Sequence, residues 1–297
     1  MITFKDFPKN NIDENNYFKC INHPNKFYCD LPFYNKLYNK SFTKEQFIKY
    51  FQIIGILKGE IINREQLKKF YKNFDETPEF INENINKLTF DQLYKKTIKE
   101  TRFNFDTKIF ETIVLLHIGN QEIGKGLLDK LKPLKDKILL GVTSTQSIKI
   151  PPEFKNYFFI NLEDLGSDII PSIILYNQIK KQAITTSNIL KLHTKSDPIW
   201  RKQLGLKLIR KYDDFIKNGK IAPKKFLNNT NNENFNKFLI PSNKIYVAGT
   251  MFLVKEKRFK KILNNKNLLK ASLINNYYYD NNFFPDNSPV HSLERLF

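Results

Sequence analysis

The sequence predicts an α/β protein: a mostly parallel sheet flanked by helices and preceded by a small helical unit. Three observations carry that expectation. From about residue 106, short apolar runs alternate with segments of helical period in the order strand, helix, strand, strand, helix, strand. Glu111–Ile118 is an almost continuous apolar run, as a strand covered on both faces requires. In Asn188–Asp197, Leu190 and Leu192 alternate with Lys191, His193 and Lys195, the period of a strand with one apolar and one polar face. Asp197-Pro198 ends that strand, because proline lacks a backbone donor and pushes the residue before it out of regular helix. His193, Lys195 and Asp197 then sit at its C-terminal edge, where ligands bind in open α/β sheets. An edge strand with a solvated polar face is an equal alternative for this stretch.

The elements follow in order. Residues 1–30 show no clear period. Thr43, three residues before Gln46, reads as a capping box opening a helix that runs to Leu57, with Phe47, Tyr50, Phe51 and Ile54 at helical spacing. Gly55 and Gly59 break it, and residues 63–75 and 88–102 also read as helical. Residues 1–105 therefore form a helical N-terminal domain whose aromatic stripe is core, and residues 106–297 form the α/β domain. In the latter, strands are expected at 111–118, 137–143, 157–161 and 188–194, and helices at 121–132, 169–181 and 200–217. Residues 218–244, rich in asparagine, read as a long loop. Residues 244–255 read as a strand pair or one broken strand, bent at Gly249, where the backbone must turn or approach something closely. A basic helix at 258–270 follows, and Pro289 marks a last helix start. Right-handed crossovers bring His117, Thr143, Asp168 and His193 to one rim.

Composition narrows the partners. The 297 residues suffice for one large domain or two smaller ones. Lys+Arg number 49 against 30 Asp+Glu, a net charge of +19 that favours anionic partners: nucleotide phosphates, nucleic acid or an acidic membrane surface. The abundance of Asn, Lys, Ile, Tyr and Phe resembles AT-rich coding, so part of the surplus is solvated lysine. The lysines are spread along the chain rather than interleaved with stacking aromatics on one face, which weakens the case for nucleic acid. Cys20, Cys29 and His23 supply three zinc-type ligands without an evident fourth, and no metal site is assigned. No run reaches membrane-spanning length and MITFKDFPKN lacks an apolar signal core. The expectation is a soluble cytoplasmic protein, of a cell or of an infected host cell, not secreted by a cleaved signal. P-loop, GxGxxG, nucleophile-elbow and HExxH motifs do not occur.

ILKLHTKSD, with Trp200-Arg201 close behind, resembles the signature of the rhamnan synthesis protein F family, glycosyltransferase-like proteins of polysaccharide assembly. Asn161–Asp168, Val247–Phe252 and Pro289–Leu296 agree with it in order, over about residues 110–297. Phe33-Tyr34 and Tyr50–Gly55 loosely resemble a small helical module found beside such transferases. The resemblance implies the GT-A nucleotide-sugar transferase fold and transfer of a hexose or deoxyhexose from a nucleotide donor to a glycan or lipid-linked glycan, with peripheral contact to a membrane surface. Rhamnose is suggested by the family name alone. Where that fold usually ends a strand in Asp-x-Asp to hold a divalent metal, this chain has His193-Thr194-Lys195. Fixed cations can neutralise a leaving diphosphate instead of a metal, so Lys195 and Arg201, with Lys191 assisting, are expected to take that role and no cofactor is required.

Other residues keep two readings. Gly166, Ser167 and Asp168 precede a helix whose free amides suit a phosphate or sugar hydroxyls, or Asp168 caps that helix. Thr143 and Ser144 touch the base or ribose, or are ordinary turn residues. His117 lines the donor pocket, or is a hydrogen-bonded core histidine. Gly249 and Thr250 lie on the acceptor side. Glu294, beside His291, resembles the carboxylate that takes the acceptor's proton in inverting enzymes, with Asp168 the next candidate; an exposed Glu294 paired with Arg295 or a lysine is the alternative. The rival function is a non-catalytic basic module that kept the fold and binds glycan or nucleic acid.

Overall fold

The computed structural model describes residues 17–19, 28–50, 89–95, 97–163, 168–194, 196–218, 225–226, 245–246, 250–266, 269–270 and 272–273. At the N-terminus β1 (Tyr17–Lys19) pairs antiparallel with β2 (Tyr28–Asp30). Helix α1 (Leu31–Leu37) follows, capped by the Asp30 carboxylate, which accepts from Phe33 N. Helix α2 (Lys44–Tyr50) opens with the expected capping box: Thr43 N donates to Gln46 Oε1 at 2.9 Å and Gln46 N donates to Thr43 Oγ1 at 3.3 Å. Thr89 and Gln92 make the same reciprocal pair at the start of α3 (Phe90–Lys95). The continuation expected from 51 to 57, the helix at 63–75 and the helix start at Pro289 lie outside the described residues.

The main sheet has six strands in the order β10-β7-β4-β5-β6-β3. They are β3 (Ile98–Asn104), β4 (Ile109–Ile118), β5 (Ile138–Ser144), β6 (Tyr157–Leu162), β7 (Thr185–His193) and β10 (Phe252–Lys255). β7, β4, β5 and β6 run parallel, while β3 and β10 close the two edges antiparallel. The chain thus moves outward from β4 through β5 to β6, then returns to the far side of β4 as β7. The strand order reverses between β4 and β7, which makes that seam the topological switch point of the sheet. A separate two-residue ladder joins β8 (Lys225–Phe226) to β9 (Ile245–Tyr246).

Helices cover both faces. Helix α4 (Gln121–Leu131) sets Leu127, Leu128 and Leu131 against Val114, Leu116, Leu140, Leu190 and Leu192. Helix α5 (Ile169–Lys181) sets Ile170, Ile173, Ile174 and Leu175 against Ile113, Leu115, Leu139 and Ile189. Phe33 and Leu37 of α1 and Phe90 and Tyr94 of α3 belong to that second cluster, as does Phe259 of α9 (Glu256–Leu263). After β7 come α6 (Pro198–Arg201), a π-helical turn at Lys202–Leu206, α7 (Lys207–Arg210) and α8 (Tyr212–Asn218).

Three local expectations change. The helix expected at 88–102 stops at Lys95, where Thr97 Oγ1 donates to the Tyr94 carbonyl at 2.7 Å, and Ile98–Asn104 is an edge strand instead. Its charged side chains masked the period of two: Arg102 lies with its guanidinium 4.5 Å over the Phe159 ring. The continuous helix expected from 200 to 217 is four short pieces. β7 is not an edge strand, because β10 covers its outer side, and the solvated-face reading fails: Lys191 is 0% exposed.

Gly141 lets α5 approach the sheet. A Cβ there would stand 2.8 Å from the Val114 carbonyl oxygen and 2.9 Å from Leu175 Cδ2. The first neighbour is backbone in the centre of the sheet and has little room to retreat. Gly141→Ala is therefore expected to destabilise the fold by about 1–3 kcal/mol in urea denaturation, the usual range for overpacking. A change within the error of the measurement would show that the seam yields.

Candidate functional site

The C-terminal ends of β5, β4 and β7 carry a row of polar side chains on one face. In the parallel register Thr143 stands opposite His117, and His117 opposite His193. Strand alternation places all three on the face covered by α5, the face of Leu139, Leu115 and Ile189. The His117 Nδ1 lies 3.0 Å from Thr143 Oγ1. Two imidazoles thus stand side by side across the switch point, on adjacent strands about 4.8 Å apart.

Beneath His193 the row is anchored by charge. Asp168, immediately before α5, turns its carboxylate inward rather than capping the helix. Its Oδ2 accepts hydrogen bonds from Lys191 Nζ and from Thr250 Oγ1, and lies 3.2 Å from His193 Nδ1. Lys191 Nζ also donates to the Thr250 carbonyl at 2.9 Å and to Thr250 Oγ1 at 3.1 Å. Its three protons thus meet three acceptors, which is what a fully buried ammonium requires. Burial opposes ionisation of Asp168, but the charges of His193 and Lys191 and their hydrogen bonds hold its pKa well below the usual carboxylate value. An ionised carboxylate accepts only, so His193 turns a protonated Nδ1 toward Asp168.

Thr250 makes this possible at a conformational expense. Its φ is 52°, in the left-handed region that a β-branched residue rarely enters. Such strain costs on the order of 1–3 kcal/mol and persists where surroundings over-determine it. Here both the carbonyl and the hydroxyl of Thr250 engage Lys191. The sequence places the bend at Gly249, which lies outside the described residues.

On the α4 side of the seam the backbone is already satisfied. Thr194 Oγ1 accepts from Gly119 N at 2.9 Å and from Asn120 N at 3.1 Å, and Thr194 N donates to the His117 carbonyl at 3.1 Å. The Asn120 side chain caps α4 by accepting from Ile123 N at 3.0 Å. The amides of Gly119 and Asn120, just before this helix, are thus taken up by Thr194. The buried charged cluster lies on the α5 face.

The expected site residues divide accordingly. His117, Thr143, Asp168, Lys191, His193 and Thr250 come together. Ser144 does not: it alternates to the α4 face, where its Oγ accepts from Gln146 N at 3.2 Å as a turn residue. Asp197 is exposed and its Oδ1 accepts from Ile199 N at 2.8 Å, holding the start of α6. Arg201 is partly buried on α6, where its N donates to the Asp197 carbonyl at 3.0 Å. Gly166, Ser167, Lys195, Gly249, His291 and Glu294 lie outside the described residues.

Two of the expected residues lie in surroundings that the sequence did not show. Lys191 is sealed from solvent and bound to Asp168 and Thr250. Asp168 is held ionised by its neighbours, which weighs against a role as proton acceptor. Sequence reasoning missed Thr194 as the residue that laces the seam; a hydroxyl directly after the strand end was the available signal. Among the described residues no group of three or more His, Cys, Asp or Glu side chains is placed to hold a metal ion, and no helix is long and apolar enough to cross a membrane. No family model, curated protein or solved structure matches the chain.

Proposed function

We propose that the protein is a nucleotide-sugar-dependent glycosyltransferase of GT-A type, moving a hexose or deoxyhexose to a glycan hydroxyl. The observation that carries the reading is the polar row at the C-terminal edge of a doubly wound sheet, at the switch point between β4 and β7. Support comes from β10, which adds an antiparallel strand beside β7 as the mixed sheet of that fold requires. It also comes from the four sequence motifs, three of which meet in the cluster: Lys191 and His193 from ILKLHTKSD, Asp168 from Asn161–Asp168, and Thr250 from Val247–Phe252. The net charge of +19 suits a diphosphate donor and an anionic surface near the acceptor.

The direct test is incubation with a panel of nucleotide sugars, following thermal stabilisation and then transfer to glycan hydroxyls. Stabilisation by at least one donor is expected; oligonucleotide binding that weakens with salt, without donor binding, supports the non-catalytic alternative. Because His193-Thr194-Lys195 stands where Asp-x-Asp would, donor binding and transfer are expected to persist in excess EDTA. Strict restoration by manganese would overturn that assignment.

A further inference from the structure

Three large apolar side chains stand exposed among the described residues: Phe103, Ile109 and Ile199. Phe103 stacks on Phe105 and Phe158, and Ile109 opens β4 at the end of the sheet away from the rim. Ile199 has different surroundings. It is 63% exposed on α6, just beyond the C-terminal edge of β7. Residues 198–211 hold Arg201, Lys202, Lys207, Arg210 and Lys211 and no Asp or Glu. Asp213, the first acid after them, is paired with Lys137. Helix α6, the π-helical turn and α7 follow one another without a gap from Pro198 to Arg210. The inner side of this run is fixed: Leu208 and Ile209 join the core cluster on the α4 face, and a Cβ on Gly205 would stand 3.1 Å from Met251 Sδ. On the outer side Lys202 lies one turn after Ile199, and the wider π-turn brings Lys207, five residues on, beneath Lys202. Arg210 and Lys211 lie one turn after Lys207. Ile199, Lys202, Lys207, Arg210 and Lys211 are all exposed.

We propose that this stripe, from Ile199 to Lys211, is a docking surface for an anionic lipid bilayer. The cations meet the headgroups and Ile199 enters the boundary of the acyl chains. Two observations select this occupant. Like charges one turn apart on a helix repel each other, and the stripe carries no acid to offset them, so a surface of negative charge is its complement. The apolar group at its end is aliphatic. A nucleic acid would engage the cations as well, but its bases stack on aromatic faces, which Ile199 does not offer. Hydrocarbon accepts a branched aliphatic side chain and removes it from water. The surface lies beside the C-terminal rim of the sheet, and it stands independently of the transferase reading.

Flotation of the full chain with vesicles tests it, using phosphatidylcholine alone and phosphatidylcholine with about one third phosphatidylserine. Trp200 is the chain's single tryptophan and follows Ile199 directly, so its fluorescence reports on α6 without a label. Binding is expected to the anionic vesicles and not to the neutral ones, and it should weaken as salt screens the charges. Phospholipid brominated on its acyl chains should quench Trp200 in the bound protein. Ile199→Ser should weaken binding about tenfold and reduce the quenching. Lys202→Gln with Lys207→Gln should weaken it roughly twenty-fivefold, about fivefold for each cation removed. The same charge removed from the opposite face of the sheet, by Lys257→Gln with Lys261→Gln on α9, should cost less than about twofold. Equal losses from the two pairs would make net charge the cause and overturn the surface. So would an unquenched Trp200 in the bound protein, which puts another face on the bilayer, or no binding to anionic vesicles at low salt. Displacement of the vesicles by an oligonucleotide that binds more tightly would assign the stripe to nucleic acid instead. The wild-type quenching and its dependence on lipid charge do not rely on any variant folding.

Discussion

Replacing Asp168 by alanine is expected to destabilise the fold by about 3–5 kcal/mol, the usual loss when one member of a buried ion pair is removed. Most of that loss belongs to Lys191. Its ammonium is 0% exposed and would lose the carboxylate that balances its charge, keeping its bonds to the Thr250 carbonyl and hydroxyl. Thr250 would also lose a partner that holds its left-handed backbone. The double change Asp168→Asn with Lys191→Met removes the charge together with its counter-charge and should recover much of the stability. The pH dependence has a definite sign. The native pKa of Asp168 lies below its unfolded value, so its contribution is complete above the ordinary carboxylate range near pH 4. It is lost as the pH falls through the lowered native value. Asp168→Asn should therefore flatten the acid limb of stability while leaving the neutral-to-alkaline limb nearly parallel to wild type. Urea titrations at several pH values measure both effects. A loss under about 1 kcal/mol would mean that Lys191 finds water.

The second large effect concerns proton removal from the acceptor. With Asp168 held ionised by Lys191, Thr250 and His193, the resemblance leaves Glu294 as the carboxylate proposed to act as base. Glu294→Gln keeps the shape of the side chain but cannot take a proton. Donor binding is expected to survive while transfer falls by roughly a hundredfold or more, the usual worth of a positioned base. The deficit should shrink at high pH, where the acceptor hydroxyl ionises more readily unaided. A histidine side chain can also take up a proton, so His291→Ala in the glutamine background should deepen the loss. A glutamine variant that melts earlier but keeps its rate per folded molecule would make Glu294 structural. The base would then be sought at Asp197, or the mechanism would be a retaining one that needs no such base.

Much of the architecture is legible without coordinates because it rests on patterns that local physics enforces. Buried parallel strands must be apolar on both faces, so Glu111–Ile118 declares itself. Helix α5 appears at its expected bounds, 169–181, because an apolar segment follows a turn and ends in lysines. The Thr43–Gln46 capping box is equally local. Strand β3 escaped because an edge strand tolerates charge on its open side, and Arg102 disguises itself by stacking on Phe159. The bend expected at Gly249 lies outside the described residues; next to it Thr250 enters left-handed backbone, held there by its bonds to Lys191 and Asp168.

The alternation of NILKLHTKSD determined by itself that Lys191 and His193 share a face and that the strand ends before Pro198. What that face meets was decided by tertiary structure alone. The same alternation suits a solvated edge, and only the return of β10 and the inward turn of Asp168 make Lys191 a buried cation with three acceptors. The reason is that a charge pattern records which side chains lie together, while the dielectric around them and the partners that neutralise them come from segments 23 and 59 residues away in the chain.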